Sequence, residues 1–411
     1  MNANLYYTRT WVLRRYSRGP IASHLTRFSE FLKKQGYPYA TGQRYVREVG
    51  HLSRWLDQRR IGIEDLNEKI VNIYWLSRKK GRCSHLTKGP YRQLLKYLRQ
   101  NSIIKTSVAE KTMIDECIGQ YQEHMAKNQG LAEETIRGRI RHARHFLTLQ
   151  FGNESLEFSK LLPSDIEEFL LDRSRQCSAR GIKVVTTALR CFLRFLQFRG
   201  DITSELIDSI PTIPSWRHRE IPGFLTTKEI DLLLKHCKPS APQGLRDIAI
   251  LLLLIRLGLR AIEICRLTLD DIDWHDGFIV ILGKNGKQDR LPLLNDVGKA
   301  ISEYLSHGRP RCSTRYVFVR AIAPFEPFAS SCAIANVVRS ALFRANLNPP
   351  RKGSHLLRRS VATLMLQGGA SLTEIGQILR HQRADTTAIY AKIDFGQLHS
   401  IVRPWPEGGG R

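Results

Sequence analysis

The chain has 411 residues, 42% of them apolar, so it is long enough for several domains and too apolar for a disordered polypeptide. Lysine and arginine number 64 against 38 aspartates and glutamates, which gives a net charge of +26 at neutral pH. An excess of this size predicts a polyanionic partner, with nucleic acid favoured over an anionic membrane surface.

No segment has the composition of a membrane span or of a secretion signal. The longest apolar run, Ile248 to Ile255, has eight residues and is too short to cross a bilayer. The N-terminus lacks a long apolar stretch followed by small residues. The eight cysteines are scattered and include no CxxC pair, which is typical of reduced thiols. We therefore expect a cytoplasmic protein without a membrane partner.

Residues 1–105 form the most basic part of the chain, with 22 lysines and arginines against 6 aspartates and glutamates. Apolar residues recur at spacings of three and four there and again to about residue 208, which predicts two helical domains. Three prolines between Asp208 and Phe224 indicate a linker. We therefore predict a basic helical N-terminal module (1–105), a second helical domain (110–208), a linker (209–224), a mixed domain (225–400) and a tail (401–411).

The two helical domains share a sequence pattern that suggests duplication. In each, a glycine precedes a threonine by five residues, and the threonine precedes a histidine by ten. The corresponding residues are Gly36, Thr41, His51 and Gly130, Thr135, His145. The pattern favours a first module that is a copy of the second, although two unrelated helical bundles would also share the periodicity.

The mixed domain begins with an amphipathic helix. Thr226 or Thr227 is its expected N-cap, and Glu229 lies in its first turn. Asn295 is the expected N-cap of a later helix. Further helices are predicted at 245–257, 261–267, 296–306, 330–345, 355–367, 372–380 and 386–393.

The same domain contains one strand–turn–strand pattern, FIVILGKNGKQDRLPL. Its Asn285-Gly286 pair predicts a type I′ hairpin turn. Ser371 and Glu374 form a capping box for one of the last helices. The predicted fold class is therefore mainly α with a small β-sheet in this domain (α+β), in a multi-domain chain whose N-terminal modules are helical.

Several well-known catalytic motifs are missing. The chain contains no GxxxxGK[ST] phosphate loop, no GxGxxG after a strand, no HExxH and no GxSxG. The 13 histidines show no metal-ligand spacing, and the carboxylates form no magnesium cluster. We therefore expect neither a metal site nor a cofactor.

The candidate site left after these exclusions is a set of arginine, lysine and histidine side chains that precede one tyrosine in the sequence. They lie in GLRAIEICRLTLDDID, in GKNGKQDRLPL and in SHLLRRSVATLMLQGGASLTEIGQILRHQRADTTAIY. Over residues 225–400 the chain resembles the tyrosine recombinases, also called the lambda-integrase family. Residues 110–208 resemble, less specifically, the family's helical core-binding (SAM-like) domain. The residues at the family's catalytic positions are Arg260, Lys284, His355, Arg358, His381 and Tyr390.

The resemblance implies an enzyme that cuts and rejoins DNA through a 3′-phosphotyrosine intermediate, without a metal ion. It implies that Tyr390 attacks the phosphate and that Lys284 protonates the leaving 5′ oxygen. Arg260 and Arg358 would clamp the phosphate, a task that suits guanidiniums because they bind two oxygens at once and stay protonated.

The resemblance also implies supporting roles. His355 and His381 would bond the phosphate or manage the tyrosine proton, and Glu263 would orient an arginine. The biological role implied is integration, excision or transposition of a mobile element.

Other interpretations are open at this point. Lys287 competes with Lys284 as the proton donor. Arg359 is adjacent to Arg358, although only Arg358 lies one helical turn after His355. The segment SLTEIGQILRHQRADTTAIYAK also has the pattern of a helix-turn-helix. A non-catalytic DNA-binding protein would therefore also explain the net positive charge. A type IB topoisomerase would share the chemistry.

Double-stranded DNA is the expected partner. We assign DNA contacts to Arg44, Arg47, Arg137, Arg141 and Lys287. The N-terminal module would either bind a separate arm site or complete a clamp around the core site, through phosphate contacts that weaken as salt rises.

The resemblance implies a homo-oligomer that is a tetramer in the synaptic complex. Related recombinase subunits or accessory DNA-bending proteins are further partners that the resemblance allows. Apolar residues at helical spacing predict a short helix near the end of the chain. They are Phe395, Leu398, Ile401 and Val402. This helix would pack on its own domain or dock onto a neighbouring subunit.

Overall fold

The computed structural model describes Tyr6 and residues 18–79, 87–104, 112–152, 155–213, 223–237, 241–283, 286, 288–381 and 385–390. These residues fold into two compact units, the first from residues 1–105 together with 218–411 and the second from residues 106–217. The predicted fold class, mainly α with a small β-sheet, is confirmed. The division into three domains stays a prediction.

The N-terminal part of the first unit is a helical bundle. Its helices are Leu25–Lys34 (α1), Tyr39–Gln58 (α2), Glu68–Lys79 (α3) and Gly89–Gln100 (α4). Leu25, Phe28 and Leu32 are buried on one face of α1, at the spacing expected of an amphipathic helix. These side chains pack into a core rich in leucine and tyrosine.

A loop from the C-terminal half of the chain completes this core. Ala323 is buried among the apolar residues of the bundle, and Phe325 packs against them. Lys96 donates to Glu326 Oε1 over 2.8 Å. Gly36, which links α1 to α2 with φ +80°, leaves no space for a side chain, because a Cβ there would lie 2.1 Å from the Phe325 ring. Residues 1–105 are therefore fastened to the C-terminal half through this loop.

The second unit is a separate helical bundle. Its helices are Met113–Lys127 (α5), Glu133–Phe151 (α6), Pro163–Gln176 (α7), Ala179–Arg199 (α8) and the single turn Glu205–Asp208 (α9). Thr112 caps α5 and Ser178 caps α8 through their hydroxyl groups. Large aromatic side chains, among them Tyr121, Phe146 and Phe192, fill the core.

The C-terminal part of the first unit carries the mixed architecture. Its helices are Thr227–Lys235 (α10), Pro242–Arg256 (α11), Ala261–Arg266 (α12), Asn295–Glu303 (α13), Cys332–Arg344 (α14), Ser354–Gln367 (α15), Leu372–Ile378 (α16) and Asp385–Ala388 (α17). Helix α11 is the central element, since Ala249 to Ile255 are all buried. Thr226 is the N-cap of α10, one of the two threonines predicted, and the capping box predicted for Ser371 and Glu374 is present at α16.

The sheet has three antiparallel strands in the order β1-β2-β3. They are Ile272–Asp273 (β1), Phe278–Leu282 (β2) and Gln288–Pro292 (β3). Leu282 pairs with Gln288, so β2 and β3 form the predicted hairpin. Gly286 has φ +75°, in the left-handed region that glycine allows. Asn285 lies outside the described residues.

Two of the differences from the predicted helix boundaries concern the last helix and Asn295. The sequence pattern extends a last helix to residue 393, but α17 ends at Ala388, and the backbone N–H of Tyr390 bonds the carbonyl of Thr387 in a tight turn. Asn295 is the first residue of α13 rather than its cap, because the backbone leaves the helical region at Leu294.

Candidate active site

Arg260 lies at the start of α12, where a buried carboxylate holds it. Glu263, which is 4% exposed, accepts a hydrogen bond from the Arg260 backbone N–H at Oε2 (2.8 Å) and another from Arg260 Nη1 at Oε1 (2.8 Å). The carboxylate thus satisfies a backbone donor that the helix terminus leaves without a partner, and also fixes the guanidinium. The Arg260 side chain still reaches solvent, at 30% exposure.

A second guanidinium, that of Arg380, shares this carboxylate. Its Nη2 donates to Glu263 Oε2 over 2.7 Å, and the Arg380 carbonyl accepts from Arg260 Nη2 over 2.9 Å. Arg380 Nε lies 3.8 Å from Asp289 Oδ2 on β3. The two arginines are therefore coupled twice, once through Glu263 and once through a backbone carbonyl.

Arg358 is buried in α15 and connects three segments. Its two terminal nitrogens donate to the carbonyls of Gly258, before α12, and Leu379, after α16. Burial, with the neighbouring guanidinium of Arg260, lowers the pKa of Arg358 to about 10, so the side chain stays charged at neutral pH. Arg359, the adjacent candidate, is only partly buried.

The imidazole of His381 lies close to these cations. Its Nδ1 is 2.7 Å from Oγ1 of the buried Thr387. Burial, followed by the charges of Arg358, Arg260 and Arg380, lowers the pKa of His381 to about 4. The ring is therefore neutral at physiological pH, and Nε2 is the atom through which it would bond a ligand or exchange a proton.

Tyr390 is buried beside the same group of residues. Its side chain is 3% exposed and packs in an apolar cluster that includes Val361, Ile375 and Leu379. Burial raises the pKa of Tyr390, and the guanidiniums of Arg358 and Arg359 act in the opposite direction. The phenol thus lies within the electrostatic field of the Arg358 guanidinium, while burial favours its protonated form.

The structure brings Arg260, Glu263, Arg358, His381 and Tyr390 into one region of the first unit. His355 is exposed on the otherwise buried first turn of α15, three residues before Arg358. Lys284 and Lys287 lie outside the described residues, as does the predicted C-terminal helix.

The other basic residues assigned to DNA are all on helix surfaces. Arg44 and Arg47 are exposed on α2, and Arg141 is exposed on α6. Arg137, also on α6, forms ion pairs with Glu133 (2.7 Å) and Glu134 (3.0 Å). A DNA phosphate would have to compete with these two carboxylates for Arg137.

Sequence reasoning missed Arg380 and Thr387, the two residues that hold Arg260 and His381. Thr387 belongs to a Thr-Thr pair with no local signal for which hydroxyl is buried. Arg380 directly precedes His381, and its partner Glu263 is 117 residues earlier in the chain. Only the tertiary fold brings them together.

The described part of the chain contains no group of three or more histidine, cysteine, aspartate or glutamate side chains placed to hold a metal ion. No helix within it is both long and apolar enough to span a membrane.

Comparison with known proteins places these features in a family. Residues 223–397 match the model of the phage integrase family. The chain is similar to a Sinorhizobium fredii protein named putative integrase/recombinase y4rA, at 36% identity over 399 residues that cover 96% of this chain and 97% of that protein. It is also similar to tyrosine recombinase XerC of Lacticaseibacillus casei, at 27% identity over 290 residues that cover 68% of this chain and 95% of that protein.

The fold has solved counterparts. A structure of a lambda integrase tetramer bound to a Holliday junction aligns with a TM-score of 0.51 and 16% identity, and the alignment covers 75% of this chain and 87% of that one. At this identity the likeness concerns the fold.

Proposed function

This chain belongs to the phage integrase family, the tyrosine recombinases, and from that premise we propose that it cuts DNA with Tyr390 as the nucleophile. Family membership makes it a DNA-cleaving and rejoining enzyme of site-specific recombination. The observation that carries the proposal is the position of Tyr390, whose phenol lies within the electrostatic influence of the buried Arg358, itself next to Arg260.

The proposed reaction is a transesterification. The phenol oxygen of Tyr390 attacks the scissile phosphorus and loses its proton, while the bond from phosphorus to the 5′ oxygen breaks. The 5′ oxygen leaves with a proton, which we assign to Lys284 as donor. The product is a 3′-phosphotyrosine and a free 5′-hydroxyl, and the covalent bond retains the energy for rejoining. Religation therefore needs no nucleotide cofactor.

Side-chain cations would stabilise the transition state. Arg260 and Arg358 supply positive charge where the pentavalent phosphorane gains negative charge. Because guanidiniums provide that charge, we propose that cleavage is independent of a metal ion. His381, neutral at physiological pH, would use Nε2 to bond the phosphate or take part in moving the tyrosine proton. We assign His355 a similar role, and Glu263 holds Arg260 in place.

We propose that the DNA partner is a duplex held by both units. The net charge of +26 supports a large electrostatic contribution to binding. Arg44 and Arg47 would contact phosphates from residues 1–105, and Arg137 and Arg141 from the helical core-binding domain at 110–208. Lys287 would do so from the hairpin. By analogy with the lambda integrase tetramer on its junction, we propose a homotetramer in the synaptic complex.

The biological role we propose is integration, excision or transposition of a mobile element, in the cytoplasm. The similarity to a putative integrase/recombinase over nearly the whole chain supports it. Locating inverted repeats or a conserved junction in the DNA that flanks the gene would test this role.

A suicide substrate with a nick near the scissile phosphate tests the nucleophile. Tyr390→Phe should bind this DNA normally and form no covalent protein–DNA complex in a denaturing gel. Tyr316→Phe, at a tyrosine that is 38% exposed in the same unit, is the matched control and should react like the wild type. A covalent complex formed by Tyr390→Phe would show that another residue is the nucleophile.

The same assay tests metal independence. Cleavage in excess EDTA should proceed at the rate seen in buffer alone. Loss of cleavage under chelation, reversed by added Mg²⁺, would contradict the proposed chemistry.

A further inference from the structure

Arg380 combines two unusual properties. It adopts φ +54°, a left-handed conformation that side-chain-bearing residues rarely adopt. Among the described residues, Arg60, Ser102 and Asn346 share this property, but these three are exposed, whereas the Arg380 side chain is 8% exposed. A charged side chain on an unfavourable backbone persists only when its surroundings hold it there.

We propose that Arg380 is a positioning residue for the cleavage reaction, which fixes the guanidinium of Arg260 by sharing Glu263 with it and by accepting a hydrogen bond from it. This inference rests on the proposed function, since Arg260 is taken there as a phosphate ligand. Arg380 acts on the reaction through Arg260 and the neighbouring His381.

The contacts around Glu263 carry the argument. This buried carboxylate accepts three hydrogen bonds, from the Arg260 backbone, from Arg260 Nη1 and from Arg380 Nη2. Without Arg380, Glu263 would keep its two hydrogen bonds to Arg260, and no second guanidinium would share its negative charge. Arg260 would then have a carboxylate to neutralise it and less charge to offer a phosphate.

The backbone of Arg380 makes the coupling reciprocal. Its carbonyl accepts from Arg260 Nη2 over 2.9 Å, a geometry that depends on the left-handed turn after α16. The same turn sets the direction in which the next residue, His381, leaves α16. Arg380 thus contacts Arg260 through its carbonyl and directly precedes His381 in the chain.

Arg380 also leaves part of its charge uncompensated. Among the described residues its Nη1 has no hydrogen-bond partner although the atom is buried, and its Nε lies 3.8 Å from Asp289 Oδ2, beyond hydrogen-bond distance. The remaining positive charge acts on His381 together with Arg358 and Arg260. Removing Arg380 should therefore make His381 easier to protonate.

The decisive variant is Arg380→Gly, because glycine accepts the left-handed backbone and loses only the side chain. The matched control is Arg60→Gly, which removes one positive charge from an exposed residue with nearly the same φ, +55°. Single-turnover cleavage of the suicide substrate is measured at saturating protein, and DNA affinity is measured separately.

We expect Arg380→Gly to lower the single-turnover rate by about 10- to 100-fold, at or below the loss of about 100-fold seen when a group that stabilises the transition state is misplaced. Its DNA affinity should stay within about threefold of the wild type, and the acidic inflection of the pH–rate profile should move to higher pH. Arg380→Lys, which keeps the charge, should recover part of the rate and return the inflection toward that of the wild type. Arg60→Gly should leave both the rate and the inflection unchanged.

A rate for Arg380→Gly equal to that of Arg60→Gly would overturn the positioning role. So would a loss that follows DNA affinity alone, or an unchanged inflection together with no recovery in Arg380→Lys. Melting curves identify a variant that fails to fold, and in that case Arg380→Lys supplies the result. The Tyr390→Phe experiment keeps the two hypotheses apart. If that variant loses covalent capture while Arg380→Gly is fully active, the proposed function stands and only this inference fails.

Discussion

His381 and Thr387 are joined by a 2.7 Å hydrogen bond between Nδ1 and Oγ1. The carbonyl of Thr387 in turn accepts from the backbone N–H of Tyr390. The imidazole is thereby connected to the short segment that carries the tyrosine, across an interval of only nine residues. The position of the phenol and the orientation of the imidazole are consequently set together.

This connection predicts that Thr387→Val slows cleavage. Valine fills the same buried volume but cannot bond Nδ1, so the imidazole loses the contact that selects its tautomer and orientation. We expect a 5- to 10-fold lower single-turnover rate, equivalent to one buried hydrogen bond of about 1–1.5 kcal/mol. Thr386→Val, at an exposed position, is the control. Equal rates for the two variants would show that the contact is irrelevant to the reaction.

Removing either of the two arginines proposed to bind the phosphate should abolish most activity, but the two changes should affect stability differently. Arg260→Ala and Arg358→Ala should each reduce cleavage by about 10²–10³-fold. Arg358→Ala should also lower the melting temperature, because two buried carbonyl groups lose their donors. Arg260→Ala should lower the melting temperature less, because Glu263 keeps its hydrogen bond to Arg380. Similar melting temperatures for the two variants would contradict the structural role given to Arg358.

The low pKa of His381 predicts a loss of stability in acid. Its value is about 4 in the folded protein against 6.5 in the unfolded chain, so the unfolded state binds more protons between these limits. The contribution is complete above pH 6.5 and is lost as the pH falls toward 4. We expect about 1–2 kcal/mol after allowance for solvent screening.

Denaturant unfolding at several pH values measures this contribution. In His381→Asn the free energy of unfolding should fall less steeply between pH 6.5 and 4 than in the wild type. His307→Asn, at an exposed histidine, should retain the wild-type slope. If His381→Asn shows the same pH dependence of the free energy of unfolding as the wild type, protonation of His381 does not destabilise the folded protein.

Two glycines with positive φ provide a matched test of the contact with Phe325. Gly36→Ala and Gly130→Ala both introduce a Cβ into a left-handed backbone, which costs about 1 kcal/mol. Only at Gly36 would the new atom meet the Phe325 ring, whereas nothing lies within 4 Å at Gly130. Gly36→Ala should therefore destabilise the protein by about 1–2 kcal/mol more. Equal melting temperatures would mean that the ring moves aside freely.

Local features of the fold could be predicted because their signals lie within one helical turn or one hairpin. The caps at Thr226 and Ser371 each depend on a glutamate three residues later. The β2–β3 hairpin depends on strand alternation around Gly286. The same locality explains why Glu263 could be placed beside Arg260.

Long-range features could not be predicted in this way. The sharing of Glu263 with Arg380 depends on how α12 meets the end of α16, and periodicity contains no information on that contact. The left-handed backbone of Arg380 is equally hidden, because glycine or asparagine is the expected residue at such a position.

The docking of the loop at Ala323 and Phe325 into the N-terminal bundle bears on the proposal that residues 1–105 contact DNA. A module on a flexible linker samples many positions, so each phosphate contact costs conformational entropy of the linker. If Arg44 and Arg47 contact DNA as proposed, a bundle packed on the C-terminal half in one compact unit would hold them at a fixed distance from Tyr390. Its contacts on the duplex should then fall at a fixed number of base pairs from the cut, whatever the spacer sequence between them. A protein shortened to begin near residue 106 would lose this fixed spacing between its proposed DNA contacts and the cut. It would also expose Phe325, which packs against the N-terminal bundle.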